Sequence, residues 1–205
     1  MGSKEFELFY KSVQSTTTTF NKLLNNSKVN NSKIILSEYV RGFDVDRPKN
    51  GAYFEAISKT ISMQKNTEEF IRLYKIDVAR GWFPRGTTAD DVFSHEIGHA
   101  VSMSKIKNKL DYLIEIGKLN KIVDKALMEL YGRKEGKGFS NEEKAMLIKS
   151  GLSEYATKNS AETIAEAFAE YSRFGINARP LAKAILQEWQ KTLSEYEQKL
   201  FQIKK

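Results

Sequence analysis

Apolar residues recur at helical spacing along most of this chain and at strand spacing in only one block. Phe6, Phe9, Tyr10, Val13, Phe20, Leu23 and Leu24 fall at helical intervals, interrupted by four threonines at 16–19 that make a poor helix interior. The pattern predicts one or two N-terminal helices within residues 1–32. The polar run at 25–32 ends them, and residues 33–37 (Lys-Ile-Ile-Leu-Ser) read as a strand that opens a second unit, 33–205. Residues 42–51, punctuated by Pro48, read as loop. Between 52 and 63 the alternation at Ile57, Lys59, Ile61 and Met63 predicts a strand or a hairpin.

After residue 86 the chain reads as a series of helices. Thr87-Thr88-Ala89-Asp90-Asp91 offers a threonine N-cap and first-turn acids, and Val92, Phe93, Ile97, Ala100, Val101 and Met103 make the following helix mostly buried. Leu110, Leu113 and Ile114, then Ile122, Val123, Leu127, Leu130 and Tyr131, predict two amphipathic stretches separated near Gly117 and closed by Gly132. Residues 133–138 are a charged, glycine-rich loop. Ser140-Asn141-Glu142-Glu143 is a capping-box pattern for a short helix to Gly151. Another helix begins near Asn159-Ser160. A last one follows Pro180, with Leu181, Ile185, Trp189, Leu193, Tyr196 and Leu200 on one face. The fold class expected is α+β, mainly helical, with a small sheet before the first buried helix and a helical C-terminal half.

Composition narrows the chemistry. A chain of 205 residues with 40% hydrophobic and 29% charged residues can bury one core, and no apolar run approaches the ~18 residues of a membrane span. The opening residues lack the apolar core of a signal peptide. There are no cysteines, so a metal has to be held by histidine, carboxylates and water, and the redox compartment stays open. The net charge of +7 is spread along the chain, as in a solvated basic surface, and no nucleic-acid module accompanies it. The pattern leaves localisation and oligomeric state open.

Both histidines of the chain fall inside His95-Glu96-Ile97-Gly98-His99. Four positions apart on a helix, the two imidazoles share a face and can point at one ion, with Glu96 beside them as a base. A catalytic zinc takes three protein ligands and leaves a fourth position for water. With no other His or Cys available, the third ligand has to be a carboxylate. The strongest downstream cluster is Glu162, Glu166 and Glu170, stacked every fourth residue along one helix. Ala161, Ala165, Ala169 and Gly98 would let that helix lie close to the motif helix. The same residues also suit a plain capping box at Asn159-x-x-Glu162 and a solvated acidic face.

His95-Glu96-x-x-His99 followed by Glu162-Thr163-Ile164-Ala165-Glu166-Ala167-Phe168, with Tyr155 seven residues before Glu162, resembles the zincin metallopeptidases of the anthrax lethal factor and Pro-Pro endopeptidase type. The resemblance covers about residues 52–171. It implies a zincin-like catalytic domain over 33–205 that binds Zn2+ through His95, His99 and Glu162. It further implies Glu96 as general base, Glu166 as a carboxylate orienting a ligand, and Tyr155 as hydrogen-bond donor to the oxyanion. The function implied is hydrolysis of a protein or peptide substrate, paired in extended form along the strand at 57–63. The step of 63 residues from His99 to Glu162 is longer than in the lethal factor, so residues 105–151 look like an insertion that alters substrate access. The segment from Leu152 onward also resembles C-terminal parts of phage minor head proteins. The alternative expectation is therefore a phage head or assembly component with a non-catalytic zinc site.

Overall fold

The computed structural model describes residues 39–44, 52–63, 67–132, 138–195 and 198. The helices expected before residue 25 and the strand expected at 33–37 lie outside the described residues. Three short strands come first: β1 (Gly42–Asp44), β2 (Ala52–Glu55) and β3 (Thr60–Met63). The expected hairpin is β2 paired antiparallel to β3, with Ala52 opposite Met63 and Glu55 opposite Thr60. Its loop is 56–59, where Lys59 takes the left-handed φ of 56° that such loops use.

Two details differ from the sequence reading. Ile57 stands in the loop, 58% exposed, and the strand begins only at Thr60. Residues 42–44, read as loop, form β1, which pairs in parallel with β3 to give the order β1-β3-β2. Ile61 explains both. It is fully buried, with Phe43 paired on one side and Phe54 on the other. A three-residue strand carrying one apolar side chain leaves no period to read in the sequence, and its place is decided by the partner strand.

Among the described residues six helices follow: α1 (Thr67–Ala79), α2 (Asp91–Ser102), α3 (Lys109–Tyr131), α4 (Asn141–Gly151), α5 (Ser160–Phe174) and α6 (Pro180–Gln190), with 3-10 turns at Tyr155–Thr157 and Gly175–Asn177. α1 has no counterpart in the sequence reading, because its apolar residues are scattered: Tyr74 is buried while Ile71 and Leu73 are exposed. The two stretches expected around Gly117 are one continuous helix, α3, ended by Gly132 in the left-handed conformation at φ 71°. An interior glycine costs about 1 kcal/mol, whereas burying each of Leu119, Ile122, Val123 and Leu127 returns about 1.5–3 kcal/mol, so packing overrides the local break. Leu110, Leu113 and Ile114, at the start of α3, remain exposed. The capping box forms as expected: Ser140 Oγ accepts from Glu143 N and Glu143 Oε2 accepts from Ser140 N. α6 begins at Pro180 and ends at Gln190, short of the expected Leu200; Leu193 still packs on the core, and Tyr196 and Leu200 lie outside the described residues.

α5 is the central helix, packed against α2, α3 and α6. Phe168 of α5 meets Trp189 of α6 edge to face at 4.9 Å. No helix among the described residues is long and apolar enough to cross a membrane.

α2 lies close against α5. A Cβ on Gly98 would stand 2.8 Å from Ala165 Cα and 2.9 Å from Phe168 Cβ, inside van der Waals contact with backbone that cannot yield. Gly98→Ala is expected to lower stability by about 1–3 kcal/mol, the usual cost of overpacking. Urea unfolding checks this; an unchanged midpoint would mean that the two helices are not held at this distance.

Candidate metal centre

The motif helix is fixed at its start by charge and at its flanks by size. Thr88 donates through its backbone N and its Oγ1 to Asp91 Oδ2, at 2.7 and 3.2 Å, and Arg173 of α5 donates to the same oxygen at 3.2 Å. The expected threonine cap is thus reversed: the acid receives and the threonine donates. Every residue of α2 is buried, including Ser94, His95, Glu96, His99 and Ser102. A helix buried all round has to satisfy its polar groups inside the protein.

α5 supplies the partners, one glutamate per turn. Glu162 Oε2 lies 3.0 Å from His95 Nε2 and 3.2 Å from His99 Nε2, and the two Nε2 atoms are 3.1 Å apart. His95, His99 and Glu162 form a group that could hold a metal ion. One turn on, Glu166 Oε1 makes an ion-pair contact with His95 Nδ1 at 2.7 Å, while its Oε2 accepts from Ser153 Oγ at 3.0 Å. A further turn on, Glu170 accepts from the backbone N of Arg179 at 2.7 Å and from its guanidinium, which also donates to Leu152 O. Three glutamates that read alike in the sequence therefore have three different neighbours: the imidazole pair, the outer nitrogen of one imidazole, and an arginine that ties α5 to the end of α4. Asn159 Oδ1 does accept from Glu162 N as an N-cap, so the capping reading and the ligand reading are both satisfied by one residue pair.

The protonation pattern follows from this crowding. Burial alone pushes the His95 pKa down, but contacts with Glu162 and Glu166 outweigh it and hold the imidazole up at about 10. Burial pushes Glu162 up, and its hydrogen bonds to His95 and His99 hold it well below the usual carboxylate range. Glu96 has no such compensation: burial lifts it above the usual range against the pull of both histidines. Its Oε2 is buried and has no hydrogen-bond partner among the described residues.

Tyr155 comes to the same place from the 3-10 turn. That turn is docked on the segment after α1, with Glu154 N donating to Gly81 O at 3.0 Å and Tyr155 N to Trp82 O at 2.8 Å. The Tyr155 ring lies 5.7 Å from the His95 ring and 5.3 Å from that of Phe83. Burial, then the charges of Glu162, Glu96 and Glu166, push its phenol well above the usual value, so the hydroxyl keeps its proton. His95, Glu96, His99, Tyr155, Glu162 and Glu166 thus lie together, while Glu170 of the same cluster faces Arg179.

Three further contributors went unread. Ser153 accepts from Ala156 N at 3.1 Å and donates to Glu166, so one hydroxyl links the Tyr155 turn to the histidine's outer carboxylate. Phe83 stacks on Tyr74 at 4.5 Å and backs Tyr155. Lys158 Nζ sits 3.9 Å from the centre of the Tyr155 ring. A serine three residues before a turn amide is a visible turn signal, but the partner Glu166 is not visible from it.

The group opens on a cleft of about 520 Å³. β2, Ile57, Met103, Ile106, Lys109 and Tyr112 line it. The sheet edge at the site is therefore β2 and not the 57–63 segment, because β3 is paired on both sides. Lys109 and Tyr112 belong to the expected insertion, whose first helix, α3, reaches the cleft. No protein-family model, curated protein or solved structure matches the chain.

Alanine at His95, His99 or Glu162 is expected to abolish tight metal binding, and Glu166→Ala to weaken it by about 10 to 100-fold, as loss of an orienting partner does. Glu170→Ala is expected to leave metal stoichiometry intact and lower stability by about 1–3 kcal/mol, since Arg179 is left partly buried and unpaired. Metal titration and urea unfolding of the five variants separate these outcomes; a severe metal defect in Glu170→Ala would shift the ligand set along the helix.

Proposed function

We propose that the protein is a zinc-dependent endopeptidase of the zincin type. The observation that carries this reading is the buried Oε2 of Glu96, unpartnered among the described residues and lining the same cleft as His95, His99 and Glu162. Two imidazoles and one carboxylate are a donor set that suits zinc, whose tetrahedral ligands at about 2.0–2.1 Å stand about 3.3 Å apart. The spacings of 3.0–3.2 Å among Nε2, Nε2 and Oε2 fit that set with little adjustment. Zinc bound there supplies Lewis acidity and lowers the pKa of water toward ~7.

The chain's own groups carry the rest. Glu96, raised by burial, accepts a proton from the attacking water at Oε2 and returns it to the departing amine. Tyr155, held protonated, donates its hydroxyl hydrogen bond to the oxyanion that develops on the scissile carbonyl. Glu166 fixes the ring plane of His95, and Ser153 fixes Glu166. β2, the outer strand of the sheet among the described residues, lines the cleft and gives an extended peptide a strand to lie along. A purely structural zinc site, the other expectation, closes its fourth position and needs no base, so it leaves Glu96 without a role.

The test is metal analysis followed by peptide cleavage. Glu96→Gln is expected to keep its zinc and fold and to lose cleavage, since the amide keeps the shape and cannot take a proton. Tyr155→Phe is expected to keep zinc affinity and cut turnover by roughly 100 to 1,000-fold, the contribution of a typical oxyanion donor. Cleavage by Glu96→Gln at the wild-type rate would remove Glu96 from the mechanism.

A further inference from the structure

We propose that the first half of α3 docks on an anionic lipid surface, its apolar residues entering the interfacial layer and its lysines meeting the headgroups. The proposal does not rest on the peptidase reading. Four large apolar side chains within five positions, Leu110, Tyr112, Leu113 and Ile114, are each at least 45% exposed. At about 100° per residue they spread over about 200° of the helix circumference, so this end of α3 is a convex apolar projection. The turn is well formed. Asn108 Oδ1 accepts from Leu110 N and Asp111 N at 2.9 and 3.0 Å, and Asn108 O accepts from Tyr112 N at 3.1 Å. With these amides satisfied, the turn can leave water without stranding them.

The exposed charge around it has one sign. From Ser104 to Lys125 every exposed charged residue is a lysine: Lys105, Lys107, Lys109, Lys118, Lys121 and Lys125. The three acids of this segment are less exposed and already partnered, Asp111 with Lys107 N, Glu115 with Lys118 Nζ and Asp124 with Lys144 Nζ. Lys118, Lys121 and Lys125 continue the side of the helix begun by Leu110, Leu113 and Ile114, all six falling within an arc of about 140°. One face of α3 is therefore apolar in its first turns and basic in the next. The basic part lines a cavity of about 370 Å³ together with Lys105 and Lys191 and the buried Leu119, Ile122 and Trp189. Lys118 and Lys191 are held by carboxylates, whereas Lys105, Lys121 and Lys125 have no such partner among the described residues.

Shape and charge together select the partner. The four steps from Leu110 to Ile114 cover about 6 Å of helix, within the ~5–10 Å to which an amphipathic helix enters the boundary of headgroups and acyl chains. Tyr112 suits that boundary, and the long stems of Lys107 and Lys109 let their ammonium groups reach back to the headgroups. Clustered lysines draw acidic lipids to the surface. An acidic folded protein would need a groove to receive a convex helix end, whereas a bilayer yields to it. Lys109 and Tyr112 also line the metal cleft, so docking would hold that cleft at the lipid surface.

The experiment is cosedimentation of the full chain with vesicles of phosphatidylcholine alone and of phosphatidylcholine with phosphatidylserine at about 2:1, at low and high salt. Binding is expected to the acidic vesicles only, and to weaken as salt rises. Lys121→Gln with Lys125→Gln and, separately, Leu113→Gln with Ile114→Gln are each expected to lower the partition coefficient by about tenfold. All four side chains are exposed, so the circular dichroism of both variants is expected to match the wild type. Met146→Gln, at an exposed position of α4, is expected to bind as the wild type does. In Leu113→Trp the added indole is expected to shift its emission to the blue on acidic vesicles, which reports entry into the interfacial layer. Equal partition onto both vesicles, absence of the shift, or binding unaltered in either double variant overturns the proposal. Retention on polyglutamate without vesicle binding assigns the face to an acidic protein. A dimer that dissociates on Leu113→Gln with Ile114→Gln, again without vesicle binding, assigns it to a second copy of the chain. Either result overturns the lipid surface and leaves the peptidase reading untouched.

Discussion

The close contact of α2 with α5 is the constraint on which the rest depends. Both histidines stand on α2 and Glu162, Glu166 and Glu170 on α5, so the distances within the candidate metal group are set by how near the two helices lie and how they are registered. Gly98 and Ala165 meet where a larger residue would not fit, and Phe168 closes over the gap. Close approach costs these residues their own hydrophobic contribution, since glycine and alanine bury little. The surrounding core returns it through Ile164, Phe168, Ile185 and Trp189, which are nearly or fully buried.

That arrangement also carries an electrostatic burden. Glu96, Glu166 and Glu170 are each no more than 3% exposed, and an uncompensated carboxylate in such surroundings costs several kcal/mol. Glu170 is compensated by the Arg179 guanidinium and backbone, and Glu166 by His95 and Ser153. Glu96 is left with a raised pKa and a bare oxygen. Among the described residues it is the one carboxylate with a buried oxygen left unpartnered, and it stands on the motif helix beside His95 and lines the cleft. The compensations around it keep the cost local.

Access is governed by elements remote in sequence. β2 and the start of α3 both line the cleft, and the Tyr155 turn is held by Gly81 and Trp82 from the segment before α2. The exposed Leu110, Leu113 and Ile114 lie on the part of α3 that projects past the core, next to cleft-lining Lys109 and Tyr112. A chain segment that looks like an insertion between ligands is thus also the outer wall of the site.

The sequence by itself determined what local periodicity and residue chemistry can specify. The two histidines four apart, the absence of cysteine and any other histidine, the four-residue repeat of glutamates, the Ser140 capping box and the Pro180 start of α6 all depend on neighbours within one or two helical turns, and each is found where it was read. Tertiary structure decided whatever depends on a partner far along the chain. Residues 42–44 become a strand because Ile61 is there to pair with, Gly117 stays helical because Leu119, Ile122, Val123 and Leu127 are buried, and β3 loses its free edge to β1. Glu162, Glu166 and Glu170 have the same spacing and the same side chain. They differ only because His95 and His99 face the first, His95 and Ser153 the second, and Arg179 the third. Helical period fixes a face, but the identity of what packs against that face is a property of the folded chain alone.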